Sequence, residues 1–564
     1  MRSKRQKLLN TFVSAGSEAN HHCWRDQFVA TVKNRVIFFI FFLIFFSTCF
    51  AGGVCESLAA IYYVKNGGND KLAGTSDATA WATIAKVEAT VKSGDVVYFR
   101  EGDTWIGATR PILSTKEGVT YHGLGYGATG TRAKLRAVGT PSGTPSSGVV
   151  DIYASYVTFT GFDIDANEQS IGGIYIGYKA PADITDIVVD DCLIHDTGGD
   201  EAIPTEYYYG ILVGQSRYYG THNVTITNCE IYRTGHEGIA IYPSRGTVGG
   251  IGPSPNHVED ITVRGCKIHD AGYWGGKSWG HGITIALNSK NVLIEYNAVY
   301  NALAGAIAVT TYCDNPSPGF PDNITIRYNL VYSSPTTSTM GISMIPQLTD
   351  YTGWGNIFVY GNILINSTIY LAGGNYGNIP LKIYNNTIYN TKENLKGIWL
   401  YHTAINADGV EIKNNLIYTG SGGAAFCLDD YGSLIADYNH SNNLYFRASG
   451  NLVRQGTVSY TNSNINIWEG TAQNADPLFT GGVLPTGFIA VSGGGMIPNT
   501  DFFNISSGNA INNGVTLGVP YDGCVNWTGS EGVACRPAGA YDIGAYEIPT
   551  VVNSAPRIKI SKLK

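Results

Sequence analysis

The chain has 564 residues, of which 44% are hydrophobic and 14% charged, and it contains 70 Gly and 37 Tyr. Soluble domains carry about 25% charged residues and about 7% Gly, so this composition argues against a disordered chain, a coiled coil and a helical array. It favours a large β-protein with many Gly-containing turns. The formal net charge is −7.

The chain opens with a basic leader that runs into an apolar segment. The first 35 residues hold seven basic and two acidic side chains, and the apolar run extends from Val36 to Phe46. This order is typical of a secretory signal, with cleavage expected near Cys49–Ala51 or Ser57–Ala59. The run is short for a membrane-spanning helix, which needs about 20 residues. We therefore expect an exported protein, either extracellular, periplasmic or at the cell surface, that contacts a membrane only through this segment if it is not cleaved.

The remainder of the chain is acidic. Without the leader, 30 basic and 42 acidic residues remain, which gives a net charge of −12. This charge argues against a nucleic-acid partner, because nucleic-acid binding needs a basic footprint. The chain has 10 Cys, without a CxxC pair or a Cys/His metal-binding spacing. In an exported chain, Cys524 and Cys535 are predicted to form a disulfide.

One short segment recurs along the chain and predicts the fold. Each copy has alternating β-branched residues, then a pivot residue, then a short apolar pair ending in an aromatic, as in DIVVDDCLIHD from Asp186. A second strand that begins with Gly lies between pivots, as in GIAI from Gly238. The pivot residues are Cys192, Cys229, Cys266, Asn297, Asn329, Asn362, Asn386, Asn415 and Asn443, and Gly161 marks the earliest recognisable copy.

Strands this short are stable only when the copies stack. Stacking pairs each strand with its copy about 4.8 Å away, and the inward Ile, Val and Leu side chains form one continuous column. The Asn pivots would then bond to one another as a ladder of amides, and the Cys pivots would be small buried apolar residues. A stack of rings is expected three residues after the pivot, formed by His195, Tyr232, His269, Tyr300, Tyr332, Tyr389 and Tyr418.

This pattern resembles the right-handed parallel β-helix of pectate lyases and many secreted bacterial proteins, over roughly residues 61–547. The resemblance implies an all-β, single-stranded right-handed parallel β-helix with a short N-terminal capping helix. Trp81, Ile84, Val87 and Val91 fall on one face of that helix, which would cover the open end of the column. The predicted division is a leader with a signal or anchor segment (1–51), the cap and first rungs (52–150), the β-helix core (151–446), the C-terminal rungs and closing segment (447–547) and a basic tail (548–564).

Solenoids carry function on one lateral face, where loops are inserted between repeats. The turn before the Gly-led strand is long at 196–209 and at 270–281 but short at 233–237. We expect the two long turns to wall a pocket over the short one, with Tyr209, Glu237 and His281 stacked as neighbours. The candidate catalytic residues are His236, Glu237, His281 and Lys277, and the candidate substrate-binding residues are Tyr209, Arg233, Asp270, Tyr273, Trp274 and Trp279.

These residue types suit carbohydrate chemistry. Aromatic faces bind the apolar side of a sugar ring. A His, Lys or Tyr can remove the proton next to a uronate carboxylate while Lys277, Arg233 or a metal stabilises the developing charge. A carboxylate pair, Glu237 with Asp200, Glu201 or Asp270, would instead perform glycoside hydrolysis.

The sequence carries no clear signature of a pectate lyase, a polygalacturonase or an alginate epimerase. We therefore expect a polysaccharide lyase, hydrolase or epimerase without choosing between them. The alternative is a non-catalytic glycan-binding or structural surface protein that binds through an aromatic-lined flank. We expect a monomer in either case.

Ca²⁺ is the one cofactor that the sequence suggests. An acidic surface repels polyuronates unless a cation bridges them or the groove is locally basic. Asp196, Asp200 and Glu201 are weak candidate ligands, because Ca²⁺ binds carboxylate and carbonyl oxygens. A neutral glycan, which would need no cation, is an equal alternative.

Overall fold

In the computed structural model, the described residues run from 59 to 545 with gaps. The leader, Cys524, Cys535 and the basic tail lie outside them. No helix among the described residues is long and apolar enough to cross a membrane. The gaps are 144–146, 179, 200–207, 215, 217–218, 244–256, 274–279, 312–319, 334–339, 346–354, 373–374, 377–379, 402–403, 406–408, 432–437, 480–487, 492–494, 499, 504, 506, 519 and 522–540.

The described strands form three long sheets that the chain visits in turn, one strand per sheet in each rung. Sheet 1 holds the strands before the pivots, sheet 2 the strands after them, and sheet 3 the Gly-led strands. Neighbouring strands pair in parallel throughout, except that the last strand of sheet 3 is antiparallel. The predicted all-β parallel β-helix is therefore confirmed.

The strands of each sheet follow in stacking order. Sheet 1 contains Ile61–Val64, Val96–Phe99, Thr120–His122, Thr158–Thr160, Ile184–Asp190, Thr221–Thr227, Val258–Arg264, Ser289–Glu295, Asp322–Arg327, Ile357–Tyr360, Leu381–Tyr384, Val410–Lys413 and Asn439–Ser441. Sheet 2 contains Thr104–Arg110, Ala133–Gly143, Phe162–Asp165, Leu193–His195, Glu230–Thr234, Lys267–Ala271, Ala298–Tyr300, Leu330–Tyr332, Ile363–Ile365, Thr387–Asn390, Leu416–Thr419 and Leu444–Phe446. Sheet 3 contains Leu113–Ser114, Gly148–Ile152, Gly172–Ile176, Ile211–Gly214, Ile239–Tyr242, His281–Ala286, Gly305–Thr310, Met340–Ile345, Thr368–Leu371, Lys396–Leu400, Phe426–Asp430, Val453–Gln455 and Val458–Tyr460.

The remaining described elements are short. Two small strand pairs lie outside the long sheets, and two α-helices and two 3₁₀-helices complete the described structure. The elements are the strand pairs Asn375–Tyr376 with Ala404–Ile405 and Phe488–Val491 with Gly495–Pro498, the α-helices Ile84–Thr90 and Ile465–Trp468, and the 3₁₀-helices Asp77–Thr79 and Thr500–Phe503.

The bend between sheets 1 and 2 depends on left-handed backbone conformations. The residue before the pivot has φ between 50° and 66° in every rung from Asp191 to Asn442. Asn, Asp and Gly adopt this region most readily, which explains the run of polar residues next to the pivots. These residues are Asp191, Asn228, Gly265, Tyr296, Tyr328, Gly361, Asn385, Asn414 and Asn442.

The Asn pivots form a continuous buried ladder. Each Nδ2 group donates to the Oδ1 atom of the next pivot at 3.0 Å, from Asn297 through to Asn443. At the C-terminal end, Asn443 donates through its backbone N–H and its side chain to the carboxylate of Glu469, at 2.8 and 3.0 Å. Glu469 is itself buried. The amide ladder therefore ends on a carboxylate acceptor.

The Cys pivots continue the ladder as buried thiols. Cys192, Cys229 and Cys266 are free and fully enclosed, as is Cys427. Burial raises the pKa of the Cys192 and Cys229 thiols well above their usual value. The prediction that these cysteines are small buried residues is confirmed.

The rings after the pivots also stack as predicted. From His195 to Tyr332, consecutive rings lie 4.5 to 5.2 Å apart with planes within 8° of parallel. Ile365 occupies the next position, and a second pair follows with Tyr389 and Tyr418 at 4.8 Å. The two histidines in this stack are therefore held by ring contacts.

The N-terminal helix Ile84–Thr90 covers the start of the column. Thr83 caps it by accepting a hydrogen bond from the Lys86 backbone N–H. Ile84 and Val87 are buried in the main hydrophobic cluster. Trp81 and Val91 join the same cluster, although they lie just outside the helix.

The closing segment packs lengthwise along several rungs. Three side-chain amides donate to its carbonyl oxygens at 2.8–2.9 Å: Asn385 to Tyr521, Asn414 to Val515 and Asn442 to Asn513. Further along, the backbone N–H of Ala545 donates to Thr387. The segment therefore holds neighbouring rungs together from outside.

Candidate functional site

The turns between sheets 2 and 3 stack directly on one another. The backbone N–H of Gly272 donates to the His236 carbonyl at 2.9 Å, and that of His236 donates to the Tyr208 carbonyl at 3.1 Å. A Cβ atom on Gly235 would lie 3.0 Å from the Thr197 carbonyl oxygen. A larger residue at this position would need the neighbouring turn to shift by a few tenths of an ångström. These backbone contacts thus fix the position of His236 along the axis of the column.

Tyr209, Glu237 and His281 occupy equivalent positions on three successive rungs. The backbone N–H of Gly210 donates to the Glu237 carbonyl at 3.1 Å, and that of Gly238 donates to the His281 carbonyl at 3.0 Å. The predicted stacking of these positions is therefore correct. A Cβ atom on Gly238 would lie 2.5 Å from the Ile268 side chain. This close contact explains why the residue after Glu237 is Gly.

His236 and Glu237 contact each other beside Tyr209. The Nδ1 atom of His236 is bonded to Oε2 of Glu237. The Tyr209 ring meets the His236 ring edge-on at 5.6 Å between centroids. All three residues are at most 5% exposed. A carboxylate in contact with an imidazole fixes the orientation of the ring.

His281 completes this group as a neutral imidazole. It is 3% exposed, and burial lowers its pKa to about 4. His281 is therefore uncharged at neutral pH.

The outer face of sheet 3 beside this group is covered with small and apolar residues. Tyr209 belongs to a hydrophobic cluster separate from the main column, together with Tyr175, Leu212, Ala240 and Tyr242. Ala240 is aligned with Thr284 on the next rung. The titratable group thus borders a buried apolar cluster, a combination common in ligand-binding sites.

Arg233 and Asp196 form a second group, at the end of sheet 2. Arg233 forms ion pairs with Glu168 at 2.6 Å and with Asp196 at 3.1 Å. Its guanidinium group lies 4.9 Å from the centroid of the Tyr273 ring. Its φ is 51°, which is costly for a long side chain. Two carboxylates already compensate its charge, which weakens its predicted role as a charge stabiliser. Tyr273 is half exposed.

Asp270 is held by the ring stack. Its carboxylate accepts from His269 Nδ1 at 2.6 Å, and its backbone adopts φ 53° at the position aligned with Arg233. It is therefore part of the second group. Lys277, Trp274, Trp279, Asp200 and Glu201, which complete the predicted site, lie outside the described residues.

The surroundings of Asp196 do not fit Ca²⁺. Its oxygens contact His195 Nδ1 at 2.7 Å and Arg233 Nε at 3.1 Å. The neighbouring Asp165 lies 3.4 Å from Lys134 and 3.3 Å from Arg136. Ca²⁺ prefers a shell of oxygen atoms, whereas this cluster already contains an imidazole and three cations.

Sequence reasoning missed two surface features. Close to the start of two neighbouring sheet 1 strands, Thr221–Thr227 and Val258–Arg264, the residues His222, His257 and Glu259 bring their ligand atoms within 4.8 Å of one another. On the outer side of sheet 3, the exposed rings of Tyr401 and Tyr431 stack at 5.5 Å. His222 and Glu259 stand at equivalent repeat positions next to Asn223 and Asp260, and an alignment of the copies would have paired them.

Residues 207–373 match the family model described as a right handed beta helix region. No curated protein sequence matches the chain. Among solved structures, pectate lyase Pel9A is 14% identical, with 87% of this chain and 97% of that chain covered and a TM-score of 0.45. An alginate lyase from a Paenibacillus species is 16% identical, with 58% and 98% covered and a TM-score of 0.38. The A-module of the Azotobacter vinelandii mannuronan C-5 epimerase AlgE4 is 14% identical, with 64% and 91% covered and a TM-score of 0.39.

None of these identities is high enough to transfer the role of a residue to this chain. The family match and the three stacked sheets describe the same architecture. The described part of the chain is a parallel β-helix, and residues 207–373 match the right-handed type.

Proposed function

We propose that the protein is a polysaccharide-active enzyme in which His236 and Glu237 form the acid–base pair. The observation that carries this proposal is their direct contact at a buried position in the turn between sheets 2 and 3. Buried titratable groups that lie outside the structural stacks are typical of catalytic sites. Two other His–carboxylate contacts, at His195 and His269, belong to the ring stack instead.

The residues divide the chemistry between them. His236, oriented by Glu237, would remove or deliver a proton. His281, neutral because burial lowers its pKa to about 4, would hydrogen-bond a substrate hydroxyl or carboxyl group without adding charge. Tyr209 would offer an aromatic edge beside the apolar cluster.

This arrangement favours proton abstraction over hydrolysis. Glycoside hydrolysis commonly needs two carboxyl groups flanking the scissile bond. In the described part of this group Glu237 is the one carboxylate, and Asp270 is engaged by His269. We therefore propose a lyase type of reaction on a uronate-containing glycan. Hydrolysis would require Asp200 or Glu201 as the second carboxylate.

The test is a screen of the purified protein on a panel of charged and neutral polysaccharides. Ultraviolet absorbance of unsaturated products reports a lyase, and new reducing ends without that absorbance report a hydrolase. We expect unsaturated products, and we expect Glu237→Gln and His236→Gln each to lower kcat by about 100-fold or more. His122→Gln is the matched control, because His122 lies on sheet 1 and stacks on Tyr98. Unchanged activity in both site variants would refute the proposal.

A non-catalytic glycan-binding role is the second candidate, and the exposed aromatic pair favours it. Tyr401 and Tyr431 are 38% and 54% exposed, and Trp399 lies 5.3 Å from Tyr401. Flat exposed rings of this kind bind sugar faces. Binding that is lost in a Tyr401→Ala, Tyr431→Ala double variant, in a protein without activity on any substrate of the panel, would support this role.

Export and a Ca²⁺ requirement remain proposals. Mass analysis of the protein from its native culture would reveal cleavage of the leader. Loss of activity with a chelator, restored by Ca²⁺, would support bridging of an acidic substrate by the cation.

A further inference from the structure

Another titratable cluster lies at the other end of the sheet 3 strands from the candidate active site, where sheet 3 passes into sheet 1. His222 and Glu259 belong to neighbouring sheet 1 strands and are paired in register. His257 precedes the second of these strands by one residue. All three side chains are partly exposed, so solvent reaches them.

The spacing of the three donor atoms matches a tetrahedral metal site. Oε1 of Glu259 lies 3.1 Å from His222 Nδ1 and 3.4 Å from His257 Nε2. A tetrahedral ion with bonds of 2.0–2.1 Å places its ligand atoms about 3.3–3.4 Å apart. The donor atoms all lie within 4.8 Å of one another, so only a small adjustment of the side chains is needed to enclose an ion.

The backbone restricts how His222 can point. A Cβ atom on Gly220 would lie 2.5 Å from His222 Nε2 and 3.3 Å from the His257 carbonyl oxygen. The Nε2 side of the ring therefore rests against glycine, while Nδ1 faces Glu259. A ring that is held in this way loses little freedom on binding a metal, which favours affinity.

The donor set selects the class of ion. Two imidazoles and one carboxylate suit Zn²⁺ and similar divalent transition metals, whereas Ca²⁺ and Mg²⁺ prefer oxygen ligands. A further His–carboxylate cluster contains Asp165, His195 and Asp196. The negative charge of its carboxylates is already compensated by Lys134, Arg136 and Arg233, which makes it a poorer cation site.

We propose that His222, His257 and Glu259 bind a divalent transition cation of the Zn²⁺ class, with the fourth position taken by water. The ion joins two neighbouring rungs. These rungs also carry Glu237 and His281, which follow the two sheet 1 strands along the chain. Metal binding at this corner therefore stabilises the part of the column on which the candidate active site is built. The inference does not depend on the proposed function.

The test is a titration of the chelator-treated full-length protein with Zn²⁺ and Co²⁺. Calorimetry gives stoichiometry and affinity for Zn²⁺, and the visible absorbance of Co²⁺ reports tetrahedral coordination. The variants are His222→Ala, His257→Ala and Glu259→Gln, and His122→Gln is the matched control. The sequence also has His21, His22 and Cys23 near its start, so the comparison between variants decides the result.

We expect the wild type and the control to bind one more equivalent of Zn²⁺ than each ligand variant. Where the stoichiometry is equal, we expect them to bind this Zn²⁺ ion at least tenfold more tightly, which corresponds to about 1.4 kcal/mol of binding free energy. Glu259→Gln keeps the side-chain shape and provides a folded variant for the comparison. Gly220→Ala keeps all three ligands but displaces the His222 ring, and should weaken binding as well. Equal stoichiometry and affinity in the wild type and all ligand variants would overturn the proposal.

Discussion

Replacement of Asn329 by Leu tests whether the buried amide ladder stabilises the column. The side chain of Asn329 is fully buried and takes part in five hydrogen bonds. Two of them are accepted by Oδ1 from the backbone and side chain of Asn297, and three are donated by Nδ2 to Ile294, Arg327 and Asn362. Leu has a similar volume, so the main change is the loss of these hydrogen bonds.

The expected loss follows from the groups that are left behind. A buried polar group without a partner costs about 1–3 kcal/mol. Asn329→Leu removes the acceptor of the Asn297 backbone N–H and the side-chain donor to the Ile294 carbonyl. Added burial of the Leu side chain offsets part of this cost. We expect the free energy of unfolding to fall by about 3–5 kcal/mol.

Guanidinium unfolding followed by circular dichroism measures this loss through the midpoint and the slope. The control is Asn356→Leu. Asn356 is exposed, and its side chain donates to Asp322 at 3.3 Å. This variant should change the free energy of unfolding by no more than about 0.5 kcal/mol. A loss below about 1 kcal/mol for Asn329→Leu, at an unchanged slope, would refute a stabilising role of the ladder.

Two further predictions concern buried titratable groups. His281 has a pKa of about 4 in the folded protein and about 6.5 in the unfolded chain. Its contribution to stability is therefore complete above pH 6.5 and is lost as the pH falls towards 4. The free energy of unfolding should fall by up to about 3 kcal/mol over this range. His281→Gln should flatten the decline of the unfolding midpoint between pH 7 and pH 4.5, and an equally steep decline in this variant would contradict the assignment. The four buried thiols should resist alkylation in the native protein and react only after denaturant is added, as measured by peptide mass analysis. Labelling without denaturant would show that the column opens. These thiols are Cys192, Cys229, Cys266 and Cys427.

The repeat could be predicted because its pivots stand out in the sequence. The earliest recognisable copy is at Gly161, yet sheet 1 already begins at Ile61–Val64. The first rungs fill the column with aromatic side chains, as in the pair Phe159 and Phe162, whose rings stack at 4.3 Å. Without the Cys or Asn pivot and the β-branched pattern, these rungs have no periodic signal to detect.

The candidate site was predictable where the backbone fixes it. Glu237 and His281 each precede a Gly that must fit against the neighbouring rung, so their alignment follows from the repeat. The contact between Arg233 and Glu168 spans 65 residues and depends on two flexible side chains. His257, which lies just before the strand Val258–Arg264, contacts Glu259 on that strand. Contacts of these two kinds depend on side-chain geometry that spacing alone does not encode.

The amide ladder has a direction, and this limits how the protein can be shortened. Every carboxamide from Asn297 to Asn443 donates to the next side-chain acceptor on its C-terminal side, so all of them have the same orientation and their dipoles add along the axis. The carboxylate of Glu469 sits at the positive end of this array, as an anion does at the start of an α-helix. A complete rung from within the array is therefore exchangeable, whereas truncation before Glu469 leaves the final amide facing solvent. Evolution or design can vary the length of the column internally, but this end acts as a fixed terminator.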